Sequence, residues 1–411
     1  MTIQSSKPVS VLMVAIGGYG YYYLKTLLEE FPPGDVELAG VVDPNSRLSG
    51  HYPDLLKRKT PIFSAVEDFF QSGRTADLTV IASPIHYHAE QSIVALNNGS
   101  HVLCDKPVAV TVQDVDEMIS ARDASGRWLM VGYQWSYSDA IQSLKRDILR
   151  SVFGKPRRMR TLRLWPRDEA YYRRNDWAGK IMDCDGRWIL DSPANNAMAH
   201  YLHNMLYLFG DEINLSAKPV ELTAEVYRVF DIENYDTVSC RILTDRDVEL
   251  LFYASHATEK DVGTIFELEF EKARITFDEQ ASPIIAVDLN GKRREYGSPN
   301  DDHQFKKLFQ AVKAVGESQP ILCCLEAARA LTLCVNGIQD SISDIAPFAE
   351  SMLVTGAGER RWVKGLDMAL LKCYREGKLP LELGFTWACR GKTIDLSSYS
   401  HYPGGIKPVK T

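Results

Sequence analysis

Residues 9–20 read VSVLMVAIGGYG, a short apolar run that breaks into a glycine-rich turn. Val9–Ala15 has the composition of a buried parallel strand, apolar toward both faces. The spacing from Gly20 to Phe31 predicts a helix, stopped by Pro32, Pro33 and Gly34. The turn between them, AIGGYG at 15–20, fits G-x-G-x-x-G except that Ala15 stands at the first glycine. Gly17 lets the backbone approach a pyrophosphate, and Gly20 lets the helix pack closely on the strand. Through Gly18 and Tyr19 the helix start then offers N–H groups and a positive dipole end to phosphates. A tight turn accepts alanine at the first position as long as φ stays negative. Alone the motif is weak; a strand before it, a helix after it and an acid closing the next strand make it specific.

That acid is Asp43, at the end of the apolar run Val36–Val42 and 23 residues beyond Gly20. A carboxylate there accepts hydrogen bonds from ribose hydroxyls and repels a 2′-phosphate, so NAD is favoured over NADP. Arg47 could pair with that phosphate and keeps NADP open. Read without the glycine turn, Asp43 is simply a turn residue before Pro44. Further along, strands are expected at Leu78–Ala82, His101–Cys104 and Trp128–Tyr133, with helices at about 87–98 and 112–124. Strands alternating with helices of this length imply a parallel sheet with right-handed crossovers. The first 130 residues thus read as a Rossmann-type doubly wound dinucleotide-binding domain.

Two segments follow strands at the carboxyl edge of that sheet, where ligands bind in such folds. They are SPIHYH at 83–88 and CDKP at 104–107. Ser83 and Pro84 would shape the floor beneath a nicotinamide. Lys106, fixed between Asp105 and Pro107, can hydrogen-bond a substrate hydroxyl and stabilise its developing alkoxide. Taken in isolation it would be a solvated surface lysine.

The combination of AIGGYG, Asp43, SPIHYH and CDKP resembles the Gfo/Idh/MocA oxidoreductases, named for glucose–fructose oxidoreductase and inositol dehydrogenase. The resemblance spans about residues 8–345. It implies a catalytic role for Lys106, with Asp105 as the acid of the [DE]-K-P signature and His88 as the histidine after the fourth strand. It also implies a C-terminal α+β domain, residues 131–411, with a large open, mostly antiparallel sheet, one face of which is often buried in an oligomer. A homodimer or homotetramer through that sheet is the corresponding expectation. Gln134 and Trp177 join the expected cofactor contacts, Trp177 because the family often has an aromatic in the loop before a histidine-bearing helix.

The second half supports this division by its own pattern. Strand-like runs occur at 159–165, 220–230, 237–243, 247–254 and 264–271, with helical spacing at 137–152, 303–315 and 325–343. From about 346 a C-terminal extension follows, helical over 358–375, and the tail from Ser397 reads as loop. The informative stretch is DSPANNAMAHYLHNMLYLFG at 191–210. Ser192 suits an N-cap, Pro193 the first helical position and Gly210 the residue past the end. On a continuous helix Asn196, His200 and His203 fall within about 60° of one another. The family commonly shows D-x-x-x-H-x-x-D here, which aligns His200 with the histidine and puts Asn196 and His203 where the acids stand. Asn196 can orient but not accept a proton; His200 can act as acid or base, and His203 is expected to supply part of the missing acid function. Two histidines at this spacing, with Asp191 or Asp183 near, would also suit a metal. No H-E-x-x-H or Cys/His framework accompanies them, and no metal is expected.

A basic run over 155–174 contains Lys155, Arg157, Arg158, Arg160, Arg163, Arg167, Arg173 and Arg174. Guanidinium groups pair bidentately with carboxylates and phosphates, so an anionic substrate is one reading. A solvated or interfacial strand edge is the commoner fate of such a run. Trp165, Trp177 and Trp188 either stack on sugar rings or fill the core.

Composition sets the outer bounds. The 411 residues are 45% hydrophobic and 25% charged with net charge −7, which suits a folded chain and carries no basic excess for nucleic acid. No apolar run reaches a membrane span, and the start lacks the features of a secretory leader, so a cytoplasmic location is expected. The eight cysteines have no C-x-x-C spacing and read as free, mostly buried thiols. The leading expectation is an NAD(P)-dependent dehydrogenase acting on a secondary hydroxyl of a sugar, polyol or glycoside. A lyase or epimerase that recycles NAD, and a non-catalytic NAD-binding sugar sensor, are the alternatives.

Overall fold

The computed structural model describes residues 7–281, 283–317 and 319–405. The first six residues and the last six, part of the expected leaderless start and loop tail, lie outside these. The chain forms two compact units. Unit 1 holds residues up to 109, 113–137 and 302–328; unit 2 holds 110–112, 138–301 and the chain from 329 onward.

Unit 1 is a six-stranded sheet built from β1 (Val9–Val14), β2 (Val36–Val42), β3 (Ile62–Phe63), β4 (Leu78–Ile81), β5 (His101–Cys104) and β6 (Leu129–Val131). Its order is β3-β2-β1-β4-β5-β6, and every pairing is parallel. The apolar runs of β1, β4 and β5 are almost wholly buried, as strands covered on both faces must be. From β1 the chain moves to β2 on one side and later to β4 on the other. The carboxyl ends of β1 and β4 therefore form a topological switch point, where a crevice opens for ligands.

The expected boundary at residue 130 needs amending, because the chain returns to unit 1 through helix Lys306–Gly316. Phe305 stacks on Tyr19 and meets Tyr23 edge-on, Phe309 stacks on Phe31, and Lys307 bonds Asp105. These contacts tie a late segment to the first βα unit more strongly than its sequence position suggests.

Unit 2 is organised on a larger sheet of β7 (Pro156–Leu164), β8 (Pro219–Arg228), β9 (Thr237–Thr244), β10 (Glu249–Ser255), β11 (Val262–Phe270), β12 (Ala273–Asp278), β13 (Ile285–Asp288), β14 (Arg293–Glu295) and β15 (Ala346–Pro347). The order is β14-β13-β12-β11-β7-β10-β9-β8-β15. Most neighbours are antiparallel, while β7–β10 and β8–β15 are parallel. On one face, helix Asp139–Leu149 meets helix Ala199–Leu208 through a hydrogen bond from the Gln142 amide to Tyr207 Oη.

The other face carries Leu162 and Leu164 of β7 and Leu251 and Tyr253 of β10, which share one side by the two-residue period. Over β7 and β10 it is covered by the C-terminal extension. Phe348, Val363, Leu366, Leu370 and Leu379 pack onto it. Tyr253 Oη donates to the Cys373 and Lys378 carbonyls, and Arg160 donates to the Tyr374 and Arg375 carbonyls. Each buried leucine or phenylalanine here contributes about 1.5–3 kcal/mol relative to exposure, which binds the extension into unit 2. Within the extension, the helix expected over 358–375 begins only at Leu366, because Arg361–Val363 pairs with Leu353–Thr355 as a two-stranded ribbon.

Candidate functional site

The glycine turn shows what each of its residues is for. A Cβ on Gly20 would lie 2.1 Å from the Ala15 carbonyl oxygen, so only glycine lets helix Gly20–Glu29 start this close to β1. A Cβ on Gly17 or Gly18 would meet no heavy atom within 4 Å, which leaves room ahead of the helix for a phosphate group. Gly18 has φ +51, and Ala15 departs from expectation with φ +64. Its position therefore demands the left-handed region after all, at a cost of about 1–2 kcal/mol for an L-residue. Ala15→Gly should raise stability by about 1 kcal/mol, read as a higher urea midpoint with unchanged slope.

Asp43 braces this turn. Its carboxylate accepts from Ile16 N–H at 2.8 Å and from Asn45 N–H at 2.7 Å. An ionised carboxylate has about four acceptor sites, so capacity remains for ribose hydroxyls. Tyr19 takes a hydrogen bond from the Gln304 amide at 2.9 Å and so belongs to the packing with helix Lys306–Gly316.

Beyond β4 and β5 the two signature segments meet. Ser83 Oγ donates to Gln91 Oε1 at 2.6 Å, and Pro84 opens the following turn. His88 is buried, with Nδ1 2.7 Å from the Pro107 carbonyl and Nε2 2.8 Å from the Ser83 carbonyl. A neutral imidazole donates to one of these two carbonyls, and His88 sits between SPIHYH and the Lys106–Pro107 turn. Burial lowers its pKa; the Pro107 and Ser83 carbonyls and Asp105 oppose that, and Lys106 reinforces it. The Lys106–Pro107 peptide is cis. Gln134 lies in the 3-10 turn Gln134–Tyr137 after β6 and is half-buried.

Asp105, the chain neighbour of Lys106, belongs to a buried ion pair that the sequence does not announce. Asp105 Oδ1 accepts from Lys307 Nζ at 2.8 Å and from Tyr23 Oη at 2.9 Å. Lys307 also donates to the Gly132 carbonyl at 3.0 Å and sits 5.0 Å from the Tyr23 ring centroid. Burial would raise the Asp105 pKa, but Lys307 and then Lys106 outweigh it and keep the carboxylate ionised. Gly132 is required for this, since a Cβ there would stand 2.8 Å from Asp105 Oδ1 and 3.0 Å from Lys307 Nζ. Lys307 is the residue missed by sequence reading. Its signal was a lysine in register with Ala311 and Ala314 on the buried stripe of its helix.

In unit 2 the expected histidine helix starts later than Ser192 suggests. Residues 192–198 form turns, with Asn195 N–H bonding Ser192 Oγ, and the helix runs Ala199–Leu208. Asn196 is therefore in the turn and not on the helix stripe. Its amide donates to Asp191 Oδ1 at 2.8 Å, while Asp191 Oδ2 accepts from Gly179 N–H at 2.6 Å. A buried acid thus stands behind the amide that replaced one. The helix is buried on nearly every side; only His200 and Tyr201 keep partial exposure.

His203 does not fill the place of a missing acid. It is buried and stacked on Tyr207 at 5.5 Å, whose ring also lies 3.5 Å from Lys145 Nζ. Burial, reinforced by the Lys145 charge, pulls its pKa down to about 3. The folded state resists a proton that the unfolded state accepts near pH 6.5, so stability is complete above that pH and falls as pH drops toward 3. Between pH 7.5 and pH 5, wild type should lose about 2 kcal/mol relative to His203→Gln in parallel urea titrations.

Trp177 lies in a unit 2 loop with the Arg174 guanidinium 5.3 Å from its ring centroid. Its assignment as a cofactor contact gains nothing from these neighbours. Among the described residues, no group of three or more His, Cys, Asp or Glu is placed to hold a metal ion. No helix there is long and apolar enough to cross a membrane.

Residues 9–133 match the Gfo/Idh/MocA model described as an oxidoreductase family with an NAD-binding Rossmann fold. A scyllo-inositol 2-dehydrogenase (NADP(+)) of Bacillus subtilis is 39% identical over 72 residues, covering 18% of this chain and 22% of that protein. A D-glucoside 3-dehydrogenase of Escherichia coli is 29% identical over 156 residues, 37% of this chain and 43% of the relative. The first curated relatives are thus matched over only a fifth to a quarter of their length. Likeness of fold extends much further. A Bordetella pertussis dehydrogenase in complex with NADH and UDP-GlcNAcA superposes with TM-score 0.66 at 19% identity, over 82% of this chain and 98% of that one. A levoglucosan dehydrogenase in complex with NADH gives TM-score 0.66 at 16% identity, over 81% and 96%.

Proposed function

We propose, for a chain whose residues 9–133 belong to the NAD-binding Rossmann fold of the Gfo/Idh/MocA oxidoreductase family, that it is a dehydrogenase of sugar, polyol or glycoside secondary hydroxyls. The observation that carries this reading is Lys106, two residues past the carboxyl end of β5 and next in the chain to the buried Asp105 of the Asp105–Lys307 pair, on the sheet edge that presents the glycine turn. NAD, when bound, supplies the nicotinamide that takes up or returns hydride. Gly17, Gly18 and the start of helix Gly20–Glu29 fit its pyrophosphate, and Asp43 fits its ribose. Ser83 and Pro84 lie along the same edge.

Lys106 donates a hydrogen bond to the substrate hydroxyl and stabilises negative charge as it develops on that oxygen. His200, the histidine of its helix that keeps exposure, takes or returns the proton. Asn196, oriented by Asp191, positions the substrate or His200 and carries no proton itself. His88 holds the turn that carries Lys106.

The test is to measure NAD and NADP affinity of the purified chain and then follow nicotinamide reduction across a sugar and polyol panel. Tighter NAD than NADP binding and sugar-dependent accumulation of NADH are expected. Preferential NADP binding would overturn the role of Asp43. Product formation without net NADH would replace net oxidation with a recycled cofactor.

A further inference from the structure

The basic run of 155–174 divides sharply once its partners are known. Arg158 pairs with Glu249, Arg160 with Glu267 and Glu269, Arg163 with Asp261, and Arg173 with Glu359. Among the described residues, four members of the run have no carboxylate within ion-pair distance: Lys155 and Arg157, which are exposed on or beside the strand, and Arg167 and Arg174, which lie against aromatic rings. Neither of the last two side chains is loose. The Arg167 guanidinium lies 3.8 Å from the Trp165 ring centroid and 4.5 Å from that of Tyr171. Arg174 lies 3.8 Å from the centroid of the same Tyr171 ring and 5.3 Å from that of Trp177.

Arg174 also donates to the Tyr171 carbonyl at 2.5 Å, which fixes the approach of its fork. Arg167 keeps a buried Nε with no hydrogen-bond partner. Arg160 and Arg163 have the same orphaned Nε but carry carboxylate partners, whereas Arg167 has none, and two cations on one aromatic bed repel each other. An arrangement of this kind makes sense when an anion completes it. Asp191, which accepts from Gly179 N–H and the Asn196 amide, forms no ion pair with either arginine. The local field is positive enough to be felt by buried His256, whose pKa is brought down to about 3 by burial first and then by Arg167, Arg174 and Arg163.

We propose that Arg167 and Arg174, on the bed of Trp165, Tyr171 and Trp177, form a subsite for a carboxylate or phosphate group carried by the sugar substrate. The assignment of a sugar rests on the dehydrogenase reading above; the anion subsite rests on the arginines. Planar guanidinium forks recognise either group bidentately, while the flanking rings favour a sugar face beside it. The substrate is thereby narrowed from any sugar or polyol to one bearing an acidic group.

The test uses the full chain and no nicotinamide. Tryptophan fluorescence and calorimetry follow binding of D-glucuronate, D-glucose 6-phosphate and D-glucose, because Trp165 and Trp177 flank the site. At least one anionic sugar should bind more tightly than D-glucose, and which one does so distinguishes carboxylate from phosphate. Arg167→Gln and Arg174→Gln should each weaken that binding roughly 10–100-fold, with D-glucose affinity unchanged. Arg167→Lys should recover only part of it, since charge without the fork is not equivalent. Arg174 is exposed, so its variant decides the matter if Arg167→Gln does not fold. The proposal is overturned if neither anionic sugar binds better than D-glucose, or if both variants keep wild-type affinity. Failure of the dehydrogenase reading shows separately, as absent NAD binding or absent hydride transfer in the wild type.

Discussion

Lys307→Met is expected to lower the stability of the chain by about 3–5 kcal/mol, among the largest single effects available in this fold. Methionine fills most of the volume, so the loss is electrostatic. Asp105 would remain buried with Tyr23 Oη as its donor but without the ammonium that outweighs its desolvation. Its pKa would rise, and a neutral acid next to Lys106 no longer supports the lysine's charge. Urea unfolding should show a lower midpoint, and Lys106-dependent turnover should fall in parallel. Asp105→Asn combined with Lys307→Met removes both charges and should recover much of the stability. Equal instability of the single and double variants would show that packing, not the ion pair, accounts for the loss.

Lys106→Ala is expected to reduce turnover roughly 10²–10³-fold while leaving NAD affinity near wild type. The lysine follows β5 and stands apart from the glycine turn, so cofactor affinity and oxygen polarisation are separable. A change confined to KM, with kcat preserved, would mean that Lys106 binds the substrate without stabilising its transition state. His200→Asn provides the companion measurement. It should depress turnover mainly at low pH in the oxidation direction if another group can substitute as base at high pH.

The parts legible in sequence were those whose signal is local. The glycine turn, Asp43 and the CDKP segment each follow an apolar strand, so a few consecutive residues place them at the sheet edge. The alternation of strands and helices pointed to a parallel sheet in unit 1, while the strand order came only with the structure. What stayed hidden depends on distant partners. Lys307 meets Asp105 across about two hundred positions, and a Lys306–Lys307 pair reads as a solvated helix face until its stripe is seen to be buried. Arg158 and Arg160 of β7 are neutralised by carboxylates from β10 and β11, which a linear reading cannot assign, so Arg167 and Arg174 beyond the strand were indistinguishable from them.

The helical wheel over 192–210 failed for a related reason. It assumed a continuous helix from Ser192, but the chain turns irregularly until Ala199, which removes Asn196 from the stripe. It also assumed that a polar face is a wet face, whereas His203 is enclosed by Tyr207 and Lys145. The left-handed Ala15 escaped because nothing in the identity of an alanine reports the sign of φ.

The most direct test of hydride chemistry at this site follows the hydrogen itself. The full chain is mixed with stoichiometric NAD and the best-binding sugar, deuterated at its carbinol carbons, and the nucleotide is recovered for mass spectrometry. One deuterium on the reduced nicotinamide, lost in Lys106→Ala although NAD stays bound, is the result this account predicts. Unlabelled, unreduced NAD, with sugar and nucleotide both shown to be bound, would contradict it.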